Sequence, residues 1–317
     1  MKASRRPRLG QNFLSSPRTA GRIVDALGAA EGSWVVEIGP GRGALTRPLL
    51  SRGVRVLAVE LDGRLAARLR EELGGDSLRV VEADALSFDP AEVLAEAGAT
   101  LPVPLVANLP YESATPMVRA FARRPDLFAR LVVMVQREVA ERICGRPGDD
   151  GYGFLSVDLA FHARARRLFD VPPGDFTPRP KVMSTVVELV PAPPPEGAAA
   201  AIAAASAGFA VRRKTLTNAL GAAWGREAAA AAVAGAGLLP TARAEELPPE
   251  TFLELARLRV LPQSPRAFLS RGEAGAVGAT LIVNLPGSPR GATETLAAIL
   301  DVLPHAVSML RGGDHAR

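Results

Sequence analysis

Cysteine is nearly missing from this chain of 317 residues, where Cys144 stands alone. A single cysteine excludes an intramolecular disulfide and any cysteine-cluster metal site. Histidine is almost as scarce, and His162, His305 and His315 show no ligand spacing, so no metal centre is expected. Lysine occurs only at Lys2, Lys181 and Lys214, which leaves arginine to carry nearly all of the positive charge. No apolar run reaches the ~18 residues of a membrane span. The basic start "MKASRRPRLGQNFL" has no apolar segment behind it and does not read as a secretory signal. A cytoplasmic protein with no membrane contact is expected.

What is present is ordinary for a folded enzyme. Hydrophobic residues make up 48% and charged residues 22%, enough for one large domain and smaller units. The formal net charge of +5 suits a phosphate-rich partner, of which nucleic acid is the commonest. Abundant arginine and alanine are also what a GC-rich genome produces, so the alanine runs need no functional account.

Three parts follow along the chain. Up to Val190, short apolar runs alternate with helical stretches, with candidate strands at 34–38, 55–59, 78–82, 104–107, 130–135 and 184–190. Continuous β-branched runs of this kind indicate a parallel sheet buried by helices on both faces, an α/β architecture. "PAPPPEG" (191–197) reads as a stiff linker. The segment that runs from it to 261 is expected to be helical, and 262–317 to hold one strand and one helix.

The chemistry sits in the first part. "VVEIGPGRGALT" (35–46) is a strand, a glycine-rich turn and a helix, in which Gly39, Gly41 and Gly43 let the backbone turn sharply and approach a ligand. A ligand-free turn reads the same way locally. Glu60 ends the next strand, where a carboxylate can hold ribose hydroxyls, and Asp84 ends the third, placed to accept from an adenine amine. Successive strand ends carrying such groups point to a nucleoside-containing ligand, because open α/β sheets bind ligands at that edge.

The fourth strand ends in Asn108-Leu109-Pro110-Tyr111. An exocyclic amine is a poor nucleophile because its lone pair is delocalised into the ring. Two acceptors facing its hydrogens, the Asn108 side-chain oxygen and the Leu109 carbonyl, can free that pair. Pro110 stiffens the turn and brings no competing N–H. Tyr111 offers a face for an extruded base. The expected chemistry is amine methylation by alignment and hydrogen bonding.

These motifs, with "LGQNFL" (9–14), "FTPRPKVMS" (176–184) and "RRKTLTNAL" (212–220), resemble the bacterial small-subunit ribosomal RNA adenine dimethyltransferases of the kasugamycin-sensitivity type over residues 8–261. The resemblance implies a Rossmann-like sheet, S-adenosylmethionine as methyl donor, and N6-dimethylation of two adjacent adenosines near the 3′ end of small-subunit rRNA. It also implies that the small ribosomal subunit is the partner of a monomeric enzyme. It assigns methyl-donor contacts to Asn12, Leu14, Gly39, Gly41, Glu60, Asp84 and Asn108. Catalysis falls to Asn108 within Asn108–Tyr111, with Tyr111 and Phe176 gripping the base. Arg179, Lys181, Arg212, Arg213 and Lys214 are expected to meet RNA phosphates. The domains implied are catalytic (1–190), helical and RNA-binding (191–261) and an extension (262–317).

The extension holds a second Asn-Leu-Pro, at 284–286, within a segment that resembles the C-terminal end of molybdopterin-binding proteins. It has no glycine-rich loop before it, and Gly287 stands where Tyr111 does in the first copy, so it reads as a non-functional fusion remnant. Three other readings stay open. One is a large-subunit rRNA adenine methyltransferase of the antibiotic-resistance type, one a non-catalytic subunit assembly factor, and one a molybdenum-cofactor protein.

Overall fold

A computed structural model describes residues 12–211, 214–260, 274–277, 280–283 and 300. The chain divides into two compact units, 1–195 and 196–317.

The first unit opens with β1 (Phe13–Leu14), α1 (Pro17–Leu27), β2 (Trp34–Ile38), α2 (Thr46–Ser51), β3 (Arg55–Glu60), α3 (Gly63–Leu73), β4 (Leu78–Glu82) and α4 (Ala91–Glu96). It continues through β5 (Val103–Asn108), α5 (Ala114–Ala122), β6 (Phe128–Gln136), α6 (Arg137–Cys144), α7 (Phe154–Ala160), β7 (Ala163–Val171), β8 (Phe176–Thr177) and β9 (Ser184–Pro191). Seven strands form one sheet in the order β4-β3-β2-β5-β6-β9-β7. β4 through β6 are parallel, whereas β9 runs antiparallel to both β6 and β7. The wholly parallel expectation is therefore corrected at one edge. Strand β7, "ARARRLFDV", escaped notice because its arginines break the apolar run, as an edge strand permits.

Side chains alternate between two apolar layers. On one face Val36, Ile38, Leu57, Val59, Leu105 and Leu131 pack with Val118 and Phe121 of α5. On the other, Val35, Val56, Val106 and Val132 pack with Ile23, Val24 and Leu27 of α1, and with Leu49 and Leu69. Ser16 caps α1 by accepting from the Thr19 N–H at 3.3 Å, Pro17 fills the first helical position, and Gly28 ends the helix in the left-handed region. Cys144 is half-buried, and burial pushes its thiol up to about 11, so it is no thiolate at neutral pH.

The second unit holds α8 (Ala198–Phe209), α9 (Leu216–Trp224), α10 (Arg226–Gly235) and α11 (Pro249–Val260). Its core is built on Ala201, Ala204, Ala205, Leu220, Ala229 and Ala232, closed by Phe252 and Leu255. The alanine runs thus serve close helix packing, and a Cβ on Gly208 would already press on Ala244, Leu216 and Phe252 at 3.3–3.4 Å. Beyond the helices, β10 (Ala274–Val277) pairs antiparallel with β11 (Thr280–Val283). The expected strand at "TLIV" is present, paired with the strand just before it. The expected tail helix, the second Asn-Leu-Pro at 284–286, and Arg212 and Arg213 lie outside the described residues.

Candidate active site

Strand order places the site. β2 leads to β3 on one side and is flanked by β5 on the other, so the crevice between their C-terminal ends is a topological switch point, where open α/β sheets bind ligands. The register sets the neighbours. Ile38 lies opposite both Val59 and Ala107, so the residues that follow, Gly39, Glu60 and Asn108, meet at one edge. Glu60 in turn lies opposite Glu82, two residues before Asp84.

One cleft joins these groups, lined among others by Asn12, Leu14, Gly39, Gly41, Glu60, Asp84 and Asn108–Tyr111. The seven expected donor-contact residues and the Asn108–Tyr111 turn are thus brought together.

The glycine loop is held in shape by Glu60. Its carboxylate is 3% exposed and accepts from the Gly41 N–H at 2.9 Å and the Asp62 N–H at 3.0 Å. Gly41 has φ +56°, and a Cβ there would meet the Phe13 ring at 3.0 Å. The strap at 12–14 therefore lies directly on the loop, and the Arg42 guanidinium stacks over the same ring at 4.6 Å. The strap is fixed by pairing with β8, Phe13 opposite Thr177 and Leu14 opposite Phe176. Asp84 Oδ1 accepts from the Leu86 N–H at 3.0 Å, which turns the chain out of β4.

Asn108 donates through Nδ2 to the Asn12 carbonyl at 3.2 Å, which leaves Oδ1 as the acceptor for a ligand. Leu109 is anchored through its N–H to the Met134 carbonyl at 3.1 Å, and Tyr111 Oη shares a hydrogen bond with Ser184 Oγ at 3.1 Å. The turn is thus held rigid from both sides.

Phe176 is a correction. Its ring is 4% exposed, packs with Leu14, Val171 and Val186, and does not line the cleft. Pairing with β1 turns it inward, so burial wins over a stacking position. Arg179, Lys181 and Lys214 are exposed, as phosphate contacts must be.

Sequence reasoning missed Glu37. It lines the cleft, is 1% exposed, and accepts from Thr46 Oγ1 at 2.7 Å. Burial, reinforced by the neighbouring Glu60 and opposed by the Thr46 bond, pushes its carboxyl up to about 7. The one signal was an acid inside the otherwise apolar strand "WVVEI".

The donor set fits S-adenosylmethionine. Carboxylates at Glu37, Glu60 and Asp84 oppose a cationic ligand, and the Cβ-free Gly39 leaves open space within 4 Å for close approach. Among the described residues, no helix is long and apolar enough to cross a membrane.

Comparison with known proteins agrees with this geometry. Ribosomal RNA small subunit methyltransferase A of Rhodospirillum rubrum is 45% identical over 255 residues, covering 78% of this chain and 86% of its own. The protein of the same name from Methylococcus capsulatus is 43% identical, covering 80% and 96%. The crystal structure of 23S rRNA methyltransferase ErmE matches with a TM-score of 0.61 at 28% identity, covering 78% of this chain and 99% of that one. A dimethyladenosine transferase from Plasmodium falciparum shares the fold, with a TM-score of 0.61 at 23% identity over 80% and 98%. The family model described as ribosomal RNA adenine dimethylase spans residues 2–259, which takes in every site residue named above, and the chain belongs to that family.

Proposed function

We propose that this protein dimethylates N6 of two adjacent adenosines near the 3′ end of small-subunit rRNA, working as a cytoplasmic monomer on the maturing subunit. The observation that carries the reading is the meeting of Asn108–Tyr111 with the glycine loop, Glu60 and Asp84 in one cleft. The domain roles follow: residues 1–190 catalyse, 191–261 bind RNA, and the extension takes no part.

S-adenosylmethionine, when bound, supplies the methyl group. Glu60 and Asp84 would hold its ribose and adenine, Gly39 and Gly41 would admit it to the backbone, and Glu37 would face its positive charge. The remaining work belongs to the chain. Asn108 Oδ1 and the Leu109 carbonyl accept from the amine hydrogens and keep the nitrogen lone pair out of the ring. Tyr111, steadied by Ser184, presents its face to the extruded base. The rigid turn costs no reorganisation when charge develops on nitrogen, and the proton of the methylated ammonium then leaves to water.

The experiment is methyl transfer from labelled cofactor onto under-methylated small subunits, with the modified positions mapped. Two adjacent dimethyladenosines near the 3′ end are expected. Modification of large-subunit rRNA instead would favour the activity named for ErmE, whose fold this chain shares. Binding without transfer would leave an assembly factor.

A further inference from the structure

Some exposed arginines of the first unit are paired with carboxylates. Arg47 and Arg68 share Glu72, Arg124 has Asp89 and Asp126, and Arg137 has Glu141. Helix α1 differs. Arg18 and Arg22 are both exposed, and no described carboxylate pairs with either. Arg22 instead lies over the Phe169 ring of β7 at 3.7 Å, which brings α1 against the edge strand.

The placement breaks two rules of helix design. Arg18 stands in the first turn, which contains no acid, so its charge opposes the helix dipole. Arg18 and Arg22 are also four residues apart, a repulsive like-charge pair. Local conflicts without local compensation mark functional positions.

β7 extends the same surface. The register sets Arg164 opposite Val190, Arg166 opposite Glu188 and Phe169 opposite Val186, so these side chains share the face on which α1 packs. Arg164 is exposed and no described carboxylate pairs with it. Arg166 and Arg130 both reach Glu188, leaving that trio net positive. Charge on an edge strand also deters mispairing, but that does not explain the arginines of α1. The strip begins beside the loop that leads into β8, because Thr19 Oγ1 donates to Asp175 Oδ2 at 2.5 Å and the Ser15 N–H to the Asp175 carbonyl at 2.7 Å.

We propose that the exposed edge of α1 and the adjoining face of β7 bind the phosphate backbone of the RNA that flanks the target adenosines, through Arg18, Arg22, Arg164 and Arg166. The proposal rests on the rRNA reading above and adds a surface to it. Exposed guanidinium groups in a row, three of the four without a carboxylate partner, suit phosphates, which they bind with two parallel hydrogen bonds. The local cost in α1 is then offset only when RNA is bound.

The test compares R18Q/R22Q/R164Q with R55Q/R68Q/R79Q, a control that loses equal charge from β3, α3 and β4. RNA affinity is measured against salt, with under-methylated small subunits and with an unrelated RNA hairpin, and cofactor affinity by calorimetry. The strip variant should bind RNA more weakly, with a plot of log affinity against log salt shallower by about 2–3, since each phosphate contact contributes ~0.7–0.9. Its cofactor affinity should not change, and the control should keep the original slope. R18Q alone should not lower the melting temperature, because it relieves both helix conflicts. R164Q, at an exposed position of an edge strand, reports separately should the triple variant prove unstable, with a slope change of about one. An unchanged slope in the strip variant, an equal change in the control, or binding to phosphatidylglycerol vesicles in place of RNA would overturn the proposal. A protein that methylates no small subunits yet shows the strip effect on the hairpin would defeat the rRNA reading and uphold the strip.

Discussion

Glu37→Gln tests the charge design of the cleft in both stability and binding. The carboxyl is 1% exposed, beside Glu60, with Thr46 as hydrogen-bond donor. Burial moves its proton affinity from 4.5 to about 7. At about 1.36 kcal/mol per pH unit, that gap corresponds to about 3 kcal/mol against the ionised folded state. The sign follows from proton counts. Between 4.5 and about 7 the folded chain keeps a proton that the unfolded chain has lost. The associated stability is therefore fully present below 4.5, falls as pH rises, and is gone above about 7. Glutamine accepts the same Thr46 bond and cannot ionise. At pH 8 the cofactor-free variant should be more stable than the unmodified protein by up to about 3 kcal/mol, and this advantage should vanish toward pH 4.5. Urea unfolding of both proteins across this range measures it. A cationic ligand should draw the proton off Glu37, so binding near pH 6 should release a proton, visible as a buffer-dependent enthalpy, and the variant should bind more weakly without that release. Parallel pH–stability curves for the two proteins would refute the reasoning.

Asn108→Ala should lower the methyl-transfer rate by about 10²–10³ with the fold intact, since it removes one preorganised acceptor; near-normal turnover in a well-folded variant would sink the assignment. Gly41→Ala and Gly39→Ala both place a side chain at positive φ, but only at Gly41 does the new Cβ strike the Phe13 ring, at 3.0 Å. Gly41→Ala should therefore weaken cofactor binding more, with an excess that disappears in a Phe13→Ala background, as a double-mutant cycle by calorimetry can read. Truncation after Leu261 should leave methyl transfer unchanged, because the family match ends at 259; loss of activity on single-turnover assay would show that the extension is needed.

Several features were legible in sequence because their signals are local. The runs at 34–38, 55–59 and 78–82 are β-branched and continuous, and each is a strand of the sheet. The alanine-rich stretch after the linker forms helices through intrinsic propensity. Other features depended on neighbours. β7 was hidden because its arginines look like loop, and it is a strand only by pairing with β9. Glu37 looked like any strand residue until Glu60 and Thr46 closed around it. Phe176 had a credible stacking role until β1 turned its ring inward.

The two Asn-Leu-Pro stretches separate what each level decides. Sequence alone determined that both follow short apolar strands, and that only the first has a glycine loop and carboxylates upstream. It could not bring those groups together, because Asn108 stands far along the chain from Gly39. Pairing of β5 with β2 does so, setting Ala107 opposite Ile38, so that the residues just beyond share one edge. The strand before the second copy pairs, among the described residues, only with its local antiparallel partner β10. The same tripeptide follows an apolar run in both places. What it can do depends on the groups that non-local hydrogen bonding sets beside it, and those exist only in the folded sheet.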